Sequence, residues 1–501
     1  MWLMPSKYIL SLDLGTTGNR AILFNKKGEA VVSVYREFKQ YYPKPGWVEH
    51  DPLEIWQSVL FVLRGVVKKA RIKSEEIAGI GLTNQRETTV VWNGKTGKPI
   101  YRAVVWQDRR TADTCERLKR RGHETMIRQK TGLLLNPYFS ATKIEWILRN
   151  FPSPHGRGEG EGRLFGTIDT WILWNLTGGK VHATDVSNAS RTMLWNIKTC
   201  EWDDELLRLF KVPKEILPEV LPSSGKFGAL DQKILGAAIP ITGVCGDQQS
   251  ALFGQQCFNR GEAKITYGTG AFLLLNTGDR PVDTKNSLIT TVAWQIGNEI
   301  TYALEGSVFA CGALINWLQK NLQLVKDGPD ASRLAATVSD SGGVYIVPAL
   351  AGLGAPHWRS DVRGLIAGLT QFTNREHIAR AALEAIAYQV EDIFVVMRQV
   401  SKFPLRLVRV DGGVAKSDFV LQFQADISGL IIERADSVEA TARGAAYLAG
   451  LGVGFWRDIK EIQQQAQLGK KFKQKMSAQR RGELSKGWQA AMQKVLHENK
   501  Q

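Results

Sequence analysis

Two adjacent charges, Arg86 and Glu87, stand between two apolar runs in the segment "GLTNQRETTVVWN". Neighbouring side chains of an extended strand point to opposite faces, so these two could act at one site only if the backbone bends between the runs. Such a bend predicts a turn that lines a cleft. A surface turn with two solvated charges is the alternative that the segment alone leaves open, since most charged residues are exposed.

A second candidate site is the turn that follows the strand pattern "YILSLDLG". Asp13 ends this strand, and Thr16, Thr17 and Gly18 then offer hydroxyls and accessible backbone N–H groups before Arg20. Such a turn can surround the oxygens of a phosphate chain, although an ordinary hairpin turn has the same composition. It is not a Walker A loop, because the chain contains no GxxxxGK[ST] segment. Asp13 is placed to hold Mg²⁺ directly or through water, since Mg²⁺ takes only one or two carboxylates.

Turns of similar composition recur in the second half of the chain. Residues 268–270 interrupt the apolar runs of "TYGTGAFLLL", and residues 411–413 follow the strand pattern of "LVRVDGG" and precede a helical pattern. Glycine at such a turn allows a ligand to approach the backbone closely. Two facing turns, one from each half, would hold a nucleotide across a cleft.

A further carboxylate, Asp247, follows the apolar strand pattern "IPITGV" and Gly246. A helix is predicted to begin at Gln248. A carboxylate at a helix N-terminus stays ionised at pH 7, because the positive end of the helix dipole stabilises its charge.

The elements that must position these residues alternate between short β-type runs and helical patterns, which is typical of an α/β protein. "HDPLEIWQSVLFVLRGVVKKA" predicts a helix with Asp51 as N-cap, Pro52 at its first position and Glu54 completing a capping box. Its apolar residues recur every three or four positions, so one face should be buried. "TNREHIARAALEAIAYQVEDIFVVM" predicts a second long helix with Thr373 as N-cap and Glu376 three residues later.

The chain has 501 residues, more than a single hydrophobic core usually supports, so two domains are expected. We place the boundary where a new series of strands begins, which predicts domains of residues 1–255 and 256–501. The segment at residues 151–163 is rich in Pro, Gly and charge and predicts an exposed loop without a chemical role.

Composition excludes several other classes of protein. No apolar run approaches the roughly 20 residues that cross a bilayer, and no signal peptide is recognisable, so we expect a cytoplasmic protein without membrane insertion. The five cysteines form no CxxC pair, which predicts free thiols and no zinc site. The net charge is +16, and residues 470–501 hold nine Lys or Arg against two Glu. No nucleic-acid-binding motif accompanies this charge, so we expect no nucleic acid partner.

The order of these elements resembles the FGGY family of carbohydrate kinases, and within it the members that phosphorylate glycerol. The resemblance runs from about Tyr8 to Trp488. The segments that carry it, in the family's order, are "LTNQRETTVVWNGKTGKPIYRAVVWQDRRT", "TGLLLNPYFSATKIEWIL", "GVCGDQQSALFGQ", "ITYGTGAFLLLNTG", "GLGAPHW", "ALEAIAYQ", "VDGGVAKSDFVLQFQADI" and "GAAYLAGLGVGFW". The resemblance implies a two-domain α/β fold of the actin-like ATPase (ribonuclease H-like) type, with the active site in the interdomain cleft. It also implies transfer of a phosphoryl group from ATP, with Mg²⁺, to glycerol, giving sn-glycerol 3-phosphate.

The resemblance also implies which residues hold the acceptor. Those that match the family's hydroxyl-binding residues are Arg86, Glu87, Tyr138, Asp247 and Gln248, and those that match its aromatic contacts to the glycerol carbons are Trp106 and Phe272. This set suits a triol, because Arg only donates hydrogen bonds, ionised Glu only accepts them, and Tyr can do either. By the same resemblance Asp247 is the general base for the attacking hydroxyl.

On the nucleotide side, the positions that match the family are Thr16, Thr17, Gly18, Arg20, Thr269, Gly312, Asn316, Gly413 and Ser417. Asn316 and Ser417 stand where bacterial relatives often have Gln and Asn, so we expect a shifted nucleotide affinity. Asp13 and Asp247 match the aspartates that the family associates with Mg²⁺.

Two forms of control found in the family are predicted to be absent. "DQKILGAAIPITG" lacks the Arg of the loop that binds fructose 1,6-bisphosphate, and "SSGKFGALDQ" lacks the His that some relatives phosphorylate. Relatives form dimers and tetramers, so a homodimer or homotetramer is expected. Two other functions stay open from the residues alone: a kinase for another polyol or sugar, and an actin-like ATPase that needs no polyol.

Overall fold

The computed structural model describes residues 7–152, 162–285, 287–435, 439–465 and 469–497. Strands and helices alternate along most of this length, as the α/β pattern predicted. The strands in chain order are β1 (Tyr8–Leu14), β2 (Gly18–Phe24), β3 (Ala30–Glu37), β4 (Glu49–His50), β5 (Ile77–Asn84), β6 (Val90–Asn93), β7 (Ala103–Val104), β8 (Arg163–Gly166), β9 (Ala183–Asp185), β10 (Trp195–Asn196), β11 (Glu201–Trp202), β12 (Glu219–Leu221), β13 (Ile241–Gly246), β14 (Glu262–Tyr267), β15 (Ala271–Gly278), β16 (Ile289–Ile296), β17 (Glu299–Val308), β18 (Tyr345–Val347), β19 (Leu365–Ala367), β20 (Leu407–Gly412), β21 (Ile432–Arg434) and β22 (Lys471–Phe472).

The helices surround two main sheets. In chain order they are α1 (Pro52–Ala70), α2 (Ala112–Arg120), α3 (Glu124–Thr131), α4 (Ser140–Asn150), α5 (Ile168–Leu176), α6 (Val186–Ala189), α7 (Asp204–Phe210), α8 (Gln232–Leu235), α9 (Asp247–Gly254), α10 (Gly312–Lys320), α11 (Gly328–Ala335), α12 (Arg375–Ser401), α13 (Asp418–Ser428), α14 (Ala440–Gly452), α15 (Ile459–Gln464) and α16 (Ala478–His497). None of the helices in the described ranges is long and apolar enough to cross a membrane.

The N-terminal sheet has five strands in the order β13-β5-β1-β2-β3. Strands β13, β5 and β1 run parallel, and their register places Gly246, Asn84 and Leu14 side by side at the ends of the three strands. The segments that follow carry the candidate residues of the N-terminal half. Ligands of α/β proteins bind outside the carboxyl ends of parallel strands, so this edge is where a site is expected.

The C-terminal sheet has seven strands in the order β16-β17-β15-β14-β20-β21-β22. Strands β14 and β15 form a hairpin around residues 268–270, and β20 lies parallel to β14 with Gly412 beside Tyr267. Both glycine-rich turns of this half therefore leave the sheet at the same edge.

A shared hydrophobic core joins the two halves. Helix α14 comes from the second half of the chain but packs on β5, β13 and α9. Side chains of the first sheet, including Ile9 and Phe24, lie in one cluster with Leu448 and Trp456. The boundary at residue 255 stays a prediction.

The predicted helix ends are partly correct. Asp51 caps α1 by accepting a hydrogen bond from the Leu53 backbone N–H at 2.8 Å, with Pro52 at the first position. The predicted capping box is wrong, because the carboxylate of Glu54 accepts a hydrogen bond from the Tyr41 hydroxyl at 2.7 Å instead. The predicted buried face is confirmed by Ile55, Val59, Val62, Leu63 and Val66.

The cap of α12 lies one residue later than predicted. Asn374, not Thr373, is the N-cap, and its side chain accepts a hydrogen bond from the His377 backbone N–H at 3.1 Å. His377 closes the capping box in place of Glu376, because its ring nitrogen Nδ1 accepts from the Asn374 backbone N–H.

Two further predictions concern the cysteines and the loop at residues 151–163. The five cysteines are free, as predicted from their number and spacing. The loop predicted at residues 151–163 lies largely outside the described residues, which omit 153–161.

Candidate active site

Arg86 turns the chain at the end of β5. Its φ of 56° lies in the left-handed region, which is uncommon for a residue other than glycine. This is the backbone bend that the adjacent charges predicted. Arg86 and Glu87 are both buried, with side chains 2% and 0% exposed, so the alternative of a solvated surface turn is wrong.

These two residues belong to a cluster of four buried charges. Arg86 Nη1 lies 2.5 Å from Glu305 Oε2, and Arg86 Nε lies 3.7 Å from Glu87 Oε1. Arg191 donates from Nε to Glu87 at 2.6 Å and from Nη2 to Glu305 at 2.9 Å. Two cations and two anions thus compensate each other away from water, as buried charges require.

Glu305 stays ionised in this cluster. Burial would raise the pKa of its carboxyl, but the charges of Arg191 and Arg86 outweigh burial and hold the pKa at about 2. The same anion raises the pKa of Arg86 well above its ordinary value, against the effect of burial. Glu305 comes from β17, so the charge cluster joins the two sheets.

The other predicted acceptor-binding residues lie beside Arg86. Arg86 Nε lies 3.1 Å from Oδ1 of Asp247, the first residue of α9, and Arg86 Nη2 donates to the Tyr138 hydroxyl at 3.1 Å. Gln248 donates from Nε2 to Asp247 Oδ2 at 3.3 Å. The Asp247 side chain is 31% exposed, so its carboxylate faces both the buried cluster and solvent. The structure thus brings together all five residues that matched the hydroxyl-binding set.

Two aromatic side chains lie at or near the predicted acceptor-binding residues. Trp106 packs edge to face with Tyr138, with ring centroids 5.5 Å apart, and its Nε1 donates to Thr16 Oγ1 at 3.0 Å. Phe272 lies on β15, and its register neighbours are Thr266 on β14 and Ser307 on β17. This register puts Phe272 on the sheet face that carries Glu305.

The first predicted phosphate turn lies next to this group. Asp13 lies at the end of β1, and burial followed by the negative charge of Asp247 raises its pKa to about 7. Thr17 is exposed, and Arg20 is engaged by Glu439 at 2.7 Å. Gly18 has a steric role of its own, because a Cβ there would lie 2.6 Å from the Arg36 carbonyl oxygen.

The second predicted phosphate turn is packed against helix α10. The Gly312 backbone N–H donates to the Gly268 carbonyl at 3.0 Å, and the Cys311 N–H donates to the Thr269 carbonyl at 3.0 Å. A Cβ on Gly312 would lie 2.7 Å from the Gly268 carbonyl, so only glycine allows this approach. The Thr269 side chain stays exposed, and Asn316 is exposed one turn into α10.

The third turn leads into α13. Gly413 is exposed, with open space around the position of a Cβ. Ser417 is the N-cap of α13 and accepts from the Val420 N–H at 3.3 Å. Its hydroxyl also lies 2.8 Å from that of Ser332, so the structure gives Ser417 a structural role.

Three buried charged residues that contact the predicted site residues were not predicted from the sequence: Arg191, Lys264 and Glu305. Lys264 is fully buried on β14 and donates to Gln248 Oε1. For Glu305 and Lys264 the available signal was a charge inside an apolar strand, as in "YALEGSVFA" and "AKITYG", because such a charge must be buried with a partner.

The carboxylates near the cleft suit a cation that is bound mainly by other ligands. The described parts of the chain contain no group of three or more His, Cys, Asp and Glu arranged to hold a metal ion. Asp13 and Asp247 supply two carboxylates, and the pKa of Asp13 is raised first by burial and second by the negative charge of Asp247. Two carboxylates are what Mg²⁺ takes when water and phosphate supply its other ligands.

Comparison with known proteins identifies the family. The model of the FGGY family of carbohydrate kinases matches in two parts, its N-terminal domain over residues 8–254 and its C-terminal domain over residues 263–453. The chain is 52% identical over 491 residues to a glycerol kinase of Caldanaerobacter subterraneus, which covers 98% of this chain and 99% of the relative. It is 53% identical over 490 residues to a glycerol kinase of Clostridium botulinum, with 98% of each covered.

Solved structures agree with this assignment. The glycerol kinase of Plasmodium falciparum with ADP superimposes with a TM-score of 0.93 at 37% identity, covering 99% of both chains. A ligand-bound xylulose kinase of Lactobacillus acidophilus has a TM-score of 0.88 at 25% identity, covering 98% of this chain and 99% of the other. The predicted two-domain α/β kinase fold is therefore confirmed, and the chain belongs to the FGGY family of carbohydrate kinases.

Proposed function

We propose that this chain transfers the γ-phosphoryl group of ATP to a terminal hydroxyl of glycerol, giving sn-glycerol 3-phosphate. One observation supports the choice of acceptor most directly. Glu87 Oε1 accepts a hydrogen bond from Arg191, whereas the buried Glu87 Oε2 has no partner among the described residues. A buried carboxylate oxygen without a donor is costly, and a substrate hydroxyl would satisfy it. The high identity to relatives named glycerol kinase supports the same acceptor.

The surrounding donors and acceptors fit the rest of a triol. Arg86 donates hydrogen bonds, Tyr138 can donate or accept them, and Trp106 and Phe272 offer apolar surface to the carbon chain. Arg86, Glu87 and Tyr138 are held in place by the buried cluster. A site built around each hydroxyl rejects an analogue that lacks one, because its own polar groups would then be left unpaired.

Asp247 is the residue best placed to accept the proton of the attacking hydroxyl. It is the first residue of α9, its carboxylate lies 3.1 Å from Arg86 Nε, and its side chain is open to the cleft. The hydroxyl oxygen then bonds to the γ-phosphorus as the bond from that phosphorus to the leaving oxygen of ADP breaks. Positioning and charge neutralisation carry most of the catalysis in such transfers.

The nucleotide is proposed to lie between the two sheets. Thr16, Thr17, Gly18 and Arg20 would face its phosphates from one side and Thr269 from the other. The nucleoside would lie near four positions of the C-terminal half, Gly312, Asn316, Gly413 and Ser417. Asp13 and Asp247 would hold Mg²⁺, which neutralises phosphate charge when bound. Arg20 would have to exchange its pairing with Glu439 for a phosphate.

A coupled assay of ADP release tests the function. We expect turnover with Mg-ATP and glycerol, and little with xylulose, other polyols or no acceptor. Turnover with another sugar or polyol alone would make the chain a different kinase of the same fold. Equal ADP release without any acceptor would favour an actin-like ATPase, the other alternative left open by the sequence.

We also propose that the chain acts in the cytoplasm, where ATP is available, as a homodimer or homotetramer. Light scattering of the purified protein tests the assembly. A mass equal to one chain of 55.8 kDa would contradict it.

A further inference from the structure

Lys264 is a buried cation that the mechanism above does not use. It lies in the middle of β14 with no exposed surface, and its register puts it on the same sheet face as Glu305, since both lie opposite Leu274. Its ammonium donates to Gln248 Oε1 and, at 3.1 Å, to Thr266 Oγ1. A lysine loses its hydration when it is buried, so these contacts must repay that loss.

The contact with Gln248 determines which way the amide points. Lysine can only donate hydrogen bonds, so Oε1 of Gln248 must face it and Nε2 must face away. Nε2 accordingly lies 3.3 Å from Asp247 Oδ2. Gln248 is thereby presented to the cleft as a donor next to the base.

On its other side, Lys264 lies near the start of the third turn. Thr266 pairs in register with Asp411, the residue before the Gly412 and Gly413 turn. Asp411 accepts from Gln255 Nε2 at 2.8 Å, and Gln255 follows the last turn of α9. The positive charge of Lys264 also opposes the rise in the pKa of Asp411 that burial causes.

We propose that Lys264 is a positioning residue of the acceptor site. It holds the Gln248 amide as a hydrogen-bond donor beside Asp247, and through Thr266 it ties this part of the site to the turn that begins at Asp411. The proposal rests on the proposed function, because glycerol is the acceptor whose binding it affects.

Lys264→Met tests the proposal. Without the lysine, the Gln248 amide can flip so that Oε1 faces the cleft. Two hydrogen-bond acceptors, Gln248 Oε1 and the Asp247 carboxylate, would then face each other. We expect the KM for glycerol to rise about tenfold or more, while the KM for ATP changes about twofold or less. Equal changes in both constants, or an unchanged KM for glycerol, would overturn the proposal.

A double-mutant cycle with Gln248→Ala shows whether Lys264 acts through Gln248. In the Gln248→Ala background we expect Lys264→Met to raise the KM for glycerol little further. If the two substitutions raise the KM for glycerol by factors that simply multiply in the double variant, the two residues act independently, and this would overturn the positioning role.

Arg409→Met is the matched control. Arg409 is the register neighbour of Lys264 on β20 and also holds α9, through the carbonyls of Gln255 and Gln256, both at 2.9 Å. Its hydrogen bonds and ion pair among the described residues go to Gln255, Gln256 and Glu433 rather than to Gln248, so we expect lower thermal stability and an unchanged KM for glycerol. If Arg409→Met raises that KM as much as Lys264→Met, the effect is general loosening of the helix and the proposal fails.

Two further outcomes are informative. If Lys264→Met is not recovered folded, Lys264→Gln is measured in the same way, since it keeps a polar contact to Thr266 but no longer forces the amide orientation. An unchanged KM for glycerol in that variant overturns the proposal. If the unmodified enzyme does not phosphorylate glycerol, the proposed function fails and the role of Lys264 fails with it. If the unmodified enzyme turns over glycerol normally and the Lys264 variants have an unchanged KM for glycerol, only the positioning role of Lys264 is overturned.

Discussion

Arg86 illustrates how a residue with a proposed role in acceptor binding also has a structural one. Its guanidinium contacts Glu305, Asp247 and Tyr138, which come from three separate parts of the chain. A buried guanidinium without these partners would be strongly destabilising. Its position in the cleft is therefore set by protein contacts before any substrate arrives.

Asp247→Asn is expected to abolish most of kcat while leaving glycerol binding largely in place. The amide keeps a hydrogen-bonding oxygen near Arg86 but cannot accept the proton of the attacking hydroxyl. General-base removal typically costs about 10² to 10⁴ in rate. Single-turnover kinetics and glycerol titration measure the two effects, and near-normal kcat would contradict the assignment of Asp247.

Glu305→Gln is expected to raise the KM for glycerol about tenfold or more and to lower stability by about 3 to 5 kcal/mol. The substitution leaves Glu87 as the fully buried anion that both arginines share, so the guanidinium of Arg86 shifts toward Asp247, which already lies beside its Nε. Glu384→Gln is a matched control, because Glu384 is also a buried glutamate, paired with Arg380 at 2.8 Å on helix α12. An equal effect of both variants on the KM for glycerol would show that Glu305 has no specific role in the site.

At the scale of elements, helix α16 is docked on α12 through a buried carboxylate. Asp392 accepts hydrogen bonds from Trp488 Nε1 at 2.8 Å and Gln489 Nε2 at 2.7 Å. Burial nevertheless raises the pKa of Asp392 to about 6. The folded protein thus binds this proton more tightly than the unfolded chain does.

The sign of the pH dependence follows. A raised pKa contributes stability that is fully present below about pH 4 and is lost as the pH rises through about 6. The loss is on the order of 3 kcal/mol. We expect the free energy of unfolding of Asp392→Asn to increase relative to that of the wild type as the pH rises through this range. Denaturant unfolding at several pH values measures both free energies. A constant difference between the two proteins would contradict the prediction.

Helix α9, which carries Asp247, is positioned by close contact with α14. A Cβ on Gly254 would lie 1.9 Å from the Ala440 carbonyl oxygen, and one on Gly444 would lie 1.8 Å from the Ser250 carbonyl oxygen. The absence of side chains at both positions allows the two helices to touch. This close contact helps to fix where α9 packs beside the first sheet.

Gly254→Ala is therefore expected to lower the free energy of unfolding by about 1 to 3 kcal/mol and to reduce kcat, because the helices must separate. Gly482→Ala is the matched control, since a Cβ there meets nothing within 4 Å and the position lies inside α16. That control should be neutral or stabilising by up to about 1 kcal/mol. Thermal unfolding and activity assays of both variants show whether steric crowding or the change in helix propensity causes the loss of stability.

At the scale of the whole molecule, the formal charge of +16 creates a positive field. Such a field attracts an anionic substrate and has little effect on a neutral one. We expect the KM for ATP to rise several-fold between about 0.05 and 0.5 M salt, over which the Debye length falls from about 14 to about 4 Å. The KM for glycerol in the same series is the internal control, and a parallel rise of both constants would contradict the electrostatic cause.

The residues that resemblance grouped into one site do lie together in the structure, whereas the helix caps were predicted only in part. The bend at Arg86 followed from two charges between apolar runs, although the segment alone left open whether they are buried, and the α/β class followed from alternating periodicities. The capping box at Glu54 was wrong because the distant Tyr41 hydroxyl engages its carboxylate, and the one at Glu376 was wrong because the cap lies one residue later, at Asn374 with His377. Local patterns predict which groups need partners but do not choose among the partners available.

What the sequence alone determined is the list of turns and charges that follow strands, the helices with buried faces, and, through resemblance, the kinase fold and its acceptor-binding set. Only the tertiary structure decided that Glu305 and Arg191 complete the cluster around Arg86, and that Lys264 faces Gln248. The physical reason is distance along the chain. Arg86 and Glu305 are 219 residues apart, and their contact depends on how two sheets meet across α9 and α14. No local periodicity records that arrangement, whereas the cost of burying a charge guarantees that some partner must exist.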